Sequence, residues 1–546
     1  MYRLRHFVVI SIILVTVLSI LSGCQASTPA TTSPSQTTTP ISPVSTTTVS
    51  SPATSATSPT QTKPTATAPA GEGQYGGTLR IIWSNSPASG FGWGPKIFGG
   101  EGFAAEPAME PLLEGKFLGG YEPRLATDYK ITDDGLSIIF YLRKGVKFHD
   151  GTDFNADAVK FNVDAMIQAG KYSKNVLSCD VIDPYTVKIN LKRFENVSLG
   201  GVAGTVIASP SAVQKNGADW AAINAVGTGP FKQVSYQPDV KIRLERFDGY
   251  WGQKPYLDAI EGTFISDPVT QIMAMKAGMG DVTHSREAKT TYQLVSAGFK
   301  VLQNYMGMVA ITPNSRDKNS PFYDERVRMA LEYAINKKAI VNTFGYGFWE
   351  VADQMPVPGQ NGYLADIVPR SYNPAKAKEL LKQAGFPNGF NTNIYHGIGD
   401  SVDIAAAVQS DLAEVGIKAE IVTIDWSRWG QMRQQGWDGL FLCGSGLFSD
   451  SNQFLYSYFR EGSTEMYSIT RDIPGWKDLI EAAITSNPPD PVKTQAAMRV
   501  IFDKCLWIPI KHHGDNYNYT EKVHGLNFGT YGQWGAFDAE KVWLSK

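Results

Sequence analysis

DGLSIIFYLRKGVKFHDGTDF, residues 134–154, is the stretch whose reading decides the fold. Leu136, Ile138, Phe140 and Leu142 alternate with Ser137, Ile139, Tyr141 and Arg143. A period of two puts one apolar row on one face of a strand. Lys144-Gly145 turns the chain, Val146–Phe148 reads as a second short strand, and Asp150-Gly151 turns it again. Asn155 then stands as N-cap of a helix whose Val159, Val163, Met166 and Ile167 share one face. As a bare pattern this is a hairpin feeding a helix, which many α/β proteins contain.

The totals bound what surrounds it. A chain of 546 residues is too long for one core, so two or more domains are expected. With 42% hydrophobic and 19% charged residues the composition is that of a soluble globular protein. A net charge of -2 gives no argument for nucleic acid or for an acidic surface partner. The 12 Trp and 24 Tyr include several in polar, Gly-rich stretches, where a stacking surface competes with ordinary core or rim packing.

The front end reads as an address and a tether. Arg3 and Arg5 precede an apolar run from Phe7 to Leu21, a secretory n-region and h-region too short for a comfortable membrane span. It ends in Leu21-Ser22-Gly23-Cys24, which resembles a bacterial lipobox, and that resemblance makes Cys24 the lipidated first residue of the mature protein. From Gln25 to about Ala70 the chain is almost all Thr, Ser, Pro and Ala, a linker composition that forms no core. Cys179, Cys443 and Cys505 remain, with no CxxC spacing. They read as small buried residues, with one disulfide among them left open.

Further on, Gly77–Trp83 reads as a strand, and the loop Ser84–Gly102 holds Phe91, Trp93 and Phe98. Glu110-Pro111-Leu112-Leu113 and Tyr121-Glu122-Pro123-Arg124-Leu125-Ala126 precede the opening stretch, and the strand pair of Asp183–Leu191 follows it. Val226-Gly227-Thr228-Gly229-Pro230-Phe231 lacks the Lys-Ser/Thr pair of a phosphate loop; its glycines are read as permitting backbone conformations closed to other residues. A helix is expected around Thr270–Ala277. Asp324 caps a helix with stripe Val327, Ala330, Leu331, Ala334 and Ile335; Asn373 caps another that ends before Gly385. Strands near Ile394, Ile417–Ile424 and Leu440–Cys443 then alternate with helices at Ser401–Val415 and around Trp429, which suggests a second α/β lobe.

LRKGVKFHDG, with GGTLRI at residues 76–81, PFYDERVRMALEYAIN at 321–336 and YNPAKAKELLKQAGFPNGF at 372–390, resembles the family-5 extracellular solute-binding proteins, which serve ABC importers of peptides, nickel and some sugars. The resemblance implies an α/β, two-lobed periplasmic-binding-protein-like fold of type II, with an extra subdomain in lobe one. The expected partition is a signal peptide at 1–23 and a tether at 24–74; lobe one at 75–112, 225–313 and 510–546; the extra subdomain at 113–224; and lobe two at 314–509. It implies lobes that close over a solute, so that function is differential affinity for the closed state. The opening hairpin and helix are then packing rather than contact.

No G-x-S-x-G, H-E-x-x-H or paired CxxC is present, so no enzyme, cofactor or metal site is expected. Adjacent His512 and His513 point to opposite faces of a strand and cannot easily share a metal. The resemblance implies that the loop Gly444–Leu455 faces the ligand, and peptide binders of the family carry an Asp-Tyr pair early in it. Here those positions read Leu447-Phe448, and a buried ammonium facing leucine lacks its partner. Either Asp450 substitutes or the ligand is not an ordinary free-amine peptide. Trp83, Trp93, Trp426, Trp429 and Trp437 make an oligosaccharide a rival, since pyranose faces stack on aromatic planes; Trp426, Trp429 and Trp437 equally suit a core.

The expected ligand contacts are therefore Trp83, Phe91, Trp93, Tyr346, Trp349, Trp426, Trp429, Leu447, Phe448, Asp450 and Asn452. The expected protein is a monomeric receptor, lipid-anchored and facing the periplasm or cell exterior. It would hand an oligopeptide or oligosaccharide to ABC permease subunits. The rivals are a secreted hydrolase with a Trp platform for a polymer, a nickel- or metal-binding receptor, and a surface scaffold that has lost transport.

Overall fold

The alternation that opens the sequence reading becomes the strand Ser137–Leu142, with Ile138, Phe140 and Leu142 buried. It sits in a four-stranded antiparallel sheet ordered Ala126–Ile131, Ser137–Leu142, Thr186–Leu191, Val176–Asp183. The helix Ala156–Gln168 packs on that sheet, capped by Asn155, whose side chain accepts from Ala158 N–H at 3.0 Å. Residues 146–148 differ from expectation: they form no strand, only an isolated bridge from Lys147 to Asp153. The turn closes on itself instead. Asp150 Oδ1 accepts from Thr152 N–H at 3.1 Å, and Phe148 and Phe154 bury their rings edge to face, 6.2 Å apart.

This computed structural model describes residues 73–87, 89–97, 101–304, 307–397, 402–446, 450–463, 465–528 and 537–546. The signal and tether readings with Cys24, and the site residues Leu447 and Phe448, lie outside the described residues.

Two larger sheets flank the small one. The first has seven strands in the order Lys300–Gln303, Asn516–Tyr519, Val282–Ser285, Thr78–Trp83, Ala259–Phe264, Lys241–Arg246, Phe231–Gln237, with Thr78–Trp83 parallel to both neighbours. The second has six: Trp349–Val351, Ile508–His513, Gly307–Pro313, Leu440–Gly446, Asn391–Gly397, Lys418–Ile424. Its parallel members are joined through the helices Val402–Glu414 and Trp426–Gln435, as the alternation implied. The capped helices fall at Glu325–Ala334, with all five residues of the expected stripe buried, and at Pro374–Gln383. The six-stranded sheet contributes to two buried apolar clusters and the four-stranded sheet to a third, and Cys443, Cys505 and Cys179 are buried in these three in turn, with no disulfide among them.

The sequence reading carries lobe one through residue 313 and resumes it at 510. Gly307–Pro313 instead hydrogen-bonds Leu440–Gly446 and Ile508–His513, deep in the six-stranded sheet. The chain thus passes between the large sheets after Gln303 and returns between His513 and Asn516. Gly514 stands at the return, where a Cβ would overlap the Asn304 carbonyl oxygen. Beside it Asp515 is fully buried; its Oδ1 lies 2.9 Å from His284 Nε2 and accepts from Arg286 Nε at 3.2 Å.

Buried histidines make the fold acid-sensitive, His513 among them, which burial pushes well below its usual range. Burial pulls both His149 and His512 down to about 4, so both are neutral in the folded protein. A depressed base leaves the unfolded chain holding more protons below pH 6.5, so stability falls as pH drops from there through about 4. The expected loss is about 3 kcal/mol for each group at full titration. Urea unfolding at pH 7.5 and pH 4.5 checks it, and His512→Phe is expected to flatten the slope.

Candidate functional site

The glycines of Val226–Phe231 serve close approach, not unusual dihedrals: neither Gly227 nor Gly229 has positive φ. A Cβ on Gly227 would overlap the Ala108 carbonyl oxygen, and one on Gly229 would stand 2.5 Å from that of Pro107. His149, from the opening stretch, holds this loop from the other side: its N–H donates to Gly227 O at 2.9 Å, and its Nε2 lies 3.0 Å from Gly229 O. Signature loop, glycine loop and the segment 107–110 are therefore three packed layers.

The innermost layer borders a cavity of about 670 Å³, within the size range of small-ligand sites. Its wall draws on the loop around Phe91, the segments 106–115 and 537–540, the helix Asn196–Ala203, and Asp450 and Gln453 from beside the six-stranded sheet. Met166, from the helix after the opening stretch, also reaches it, so that helix is more than packing.

The wall is largely apolar, and its charged groups are mostly carboxyls. Glu110 is 5% exposed; Tyr250 Oη donates to its Oε1 at 3.0 Å, and Trp251 Nε1 and Thr228 Oγ1 each donate to Oε2 at 2.8 Å. Burial lifts this carboxyl to about 7 against the pull of those three donors. Glu106 is pushed well above the usual range, first by burial and then by Glu114 and Asp538, and its Oε2 is buried with no hydrogen-bond partner among the described residues. Arg124 is shared among Glu114 at 2.5 Å, Asp538 at 3.4 Å and Glu540 at 3.6 Å. Asp450 caps the short helix Ser451–Phe454, accepting from Asn452 N–H at 2.9 Å and Asn361 Nδ2 at 3.0 Å, and burial raises its carboxyl. Asn196 is 6% exposed; its Nδ2 donates to Ala483 O at 3.2 Å, while its Oδ1 is buried and has no partner among the described residues.

Next to the cavity the four-stranded body meets the six-stranded one through four charges. Arg193 reaches Glu195 at 2.8 Å and Glu481 at 2.7 Å; Arg460 reaches Glu195 and Glu481 at 3.0 Å each. Tyr456 Oη adds a bond to Ser173 Oγ at 3.1 Å. If this network holds the two bodies over a solute, Glu481→Gln is expected to raise the Kd for the co-purified solute about three- to tenfold, roughly 1 kcal/mol, in calorimetric titration.

The model for "Bacterial extracellular solute-binding proteins, family 5 Middle" matches residues 120–465. The chain belongs to the family-5 extracellular solute-binding proteins. Among curated relatives, the glutathione-binding protein GsiB of Salmonella choleraesuis is 30% identical over 426 residues, covering 71% of this chain and 79% of its own. Among solved structures, the periplasmic binding protein DppA of Helicobacter pylori with the peptide STSA superposes with TM-score 0.73 at 26% identity, covering 87% of this chain and 99% of DppA. NikA of Brucella suis with Fe(III)-EDTA shares the fold at TM-score 0.76 and 22% identity, over 86% and 100%. Like these relatives, this family-5 chain is a solute-binding receptor of the ABC-importer type and not an enzyme, with a type II periplasmic-binding-protein fold.

The expected contact residues of this family-5 chain separate on the structure. Phe91 and Asp450 line the cavity, Phe91 set edge-on to Tyr236 at 4.9 Å. Trp83, 2% exposed, stacks on Phe264 in the seven-stranded core, in space that Gly262 leaves open. Trp93 packs against that core from the rim. Tyr346 pairs with Tyr292 at 5.3 Å, Trp349 lies under the Lys511 ammonium at 3.3 Å, and Trp429 sits between Phe441 and the Arg433 guanidinium. Trp437 is core, and Asn452 is buried, accepting from Thr494 Oγ1 at 3.0 Å. Trp426 begins its helix, its side chain being outside the description. His512 and His513 face opposite sides of their strand, and among the described residues no three His, Cys, Asp or Glu side chains are grouped for a metal.

The residues that sequence reasoning missed are Glu106, Glu110, Arg124 and Asn196. In the sequence Glu110 and Arg124 stand only as letters of family motifs. The clustering of Glu106, Glu110 and Glu114 within nine positions was the available signal.

Proposed function

We propose that this protein is a membrane-anchored, monomeric receptor that passes a peptide-like solute to an ABC importer by closing two lobes over it. The cavity carries the reading: it lies where all three sheet bodies contribute wall, the arrangement in which a solute rewards closure. The lobes correspond to the seven- and six-stranded sheets, the four-stranded body being the extra subdomain of the first. The crossings after Gln303 and between His513 and Asn516 serve as the hinge. Peptide is favoured over oligosaccharide because Trp83 and Trp437 are core side chains and offer no stacking plane, and because DppA is a peptide complex. Anchoring rests on the Leu21–Cys24 lipobox ahead of the tether; among the described residues no helix is long and apolar enough to cross a membrane.

Native mass spectrometry of the chain from Gln74 onward, purified without denaturation, tests this. One peptide-sized adduct per chain is the expected result, with a raised Tm when that solute is added back. A co-purified oligosaccharide would overturn the peptide reading. No adduct, no thermal shift with any solute class and turnover of a substrate would overturn the receptor reading.

A further inference from the structure

Much of the apolar surface on the cavity wall is left uncovered by the protein. Ile97, Phe103, Met166, Val197 and Val206 all line the cavity and are only partly buried. Phe103 and Val206 rest by one side on the core of the seven-stranded sheet, while Met166 and Val197 belong to the helices Ala156–Gln168 and Asn196–Ala203. Apolar surface left open in this way gains free energy when a solute displaces its water. The charged groups of the same wall are already committed within the protein. Arg124 is shared among Glu114, Asp538 and Glu540, and Lys171 Nζ donates to Ile97 O at 3.1 Å. Glu110 accepts from Thr228, Tyr250 and Trp251, and Asp450 accepts from Asn361 and the Asn452 N–H. Glu106, the remaining carboxyl, is pushed toward its neutral form by burial. A charged group entering the cavity would shed its water and meet, among the described residues, no uncommitted opposite charge.

We propose that the cavity selects an uncharged, apolar solute: a short peptide with apolar side chains whose two ends are blocked or joined in a ring. The inference rests on the receptor reading above and names its substrate class. A free peptide brings an ammonium and a carboxylate, and the wall disfavours both, as it does a basic or acidic side chain.

Calorimetric titration of the chain, stripped of solute and refolded, with N-acetyl-leucyl-phenylalanine amide, free leucyl-phenylalanine, trilysine and glutathione tests this. The blocked dipeptide is expected to bind roughly tenfold or more tighter than the free one, with trilysine and glutathione weaker still. Met166→Lys sets an uncommitted cation on the wall for the free carboxylate to meet, and is expected to bring the blocked-to-free ratio below about threefold. Val197→Lys, from another helix, is expected to do the same, and the Tm of each variant shows that it folds. Free dipeptide, trilysine or glutathione binding as tightly as the blocked dipeptide would overturn the inference and leave the peptide receptor standing. A blocked-to-free ratio unchanged in either folded variant would overturn the assignment to this wall. No binding by any probe would overturn the inference, while the co-purified solute still decides the receptor reading separately.

Discussion

Asp515→Asn is expected to destabilise the protein by about 3–5 kcal/mol, the cost of removing one partner from a buried ion pair. Asp515 is fully buried; burial would raise its carboxyl, but His284 and Arg286 together hold it far below the usual range. The amide keeps the shape and loses the charge, leaving His284 Nε2, 2.9 Å away, in a buried place built for an anion. The sign with pH follows. A depressed carboxyl contributes stability above its unfolded value of 3.8 and loses it as pH falls through the folded one, so the gap between natural chain and variant is full at pH 7 and narrows only below about 3.8. Denaturant midpoints at pH 7 and pH 3 measure both. Because the residue sits at the return crossing between the large sheets, solute affinity is expected to fall as well.

Gly227→Ala is the second large effect. Its Cβ would overlap the Ala108 carbonyl oxygen and stand 2.7 Å from Met109 Sδ and 3.0 Å from Met109 Cα. The segment must move, at a cost of about 1–3 kcal/mol. Met109 and Glu110 line the cavity, so the same movement is expected to weaken solute binding more than tenfold. Gly430→Ala is the matching contrast: it lies in the helix Trp426–Gln435, away from the cavity wall, and its Cβ would meet nothing within 4 Å. That variant is expected to gain up to about 1 kcal/mol. Thermal unfolding and titration of the pair separate a close-approach glycine from one that is merely present.

The contrast also marks what was legible. Ser137–Leu142, Ala156–Gln168 and Glu325–Ala334 were readable because their apolar period and caps are local, within a dozen residues. Val146–Phe148 was not, because hydrogen bonds inside the Asp150 turn compete with a ladder and win. Trp83 ends a readable strand, yet its burial depends on the space left at Gly262, far along the chain on a neighbouring strand. The lobe boundary at 313 failed for the same reason, since sheet membership is decided by partners at 440–446 and 508–513. The helix Asn196–Ala203 escaped notice because NVSLGGVA has two glycines and no amphipathic stripe. Its Asn196 becomes informative only once the fold sets it on the cavity wall, with its amide donating to Ala483 O. The opening stretch identifies the family, and through His149 it also shapes the wall it was expected merely to support.

The most direct test of the central claim is a crystal structure of the chain purified with its natural solute bound. The account predicts one solute in the cavity of about 670 Å³, with both large-sheet bodies in contact with it. A solute bound elsewhere, with this cavity empty, would contradict it.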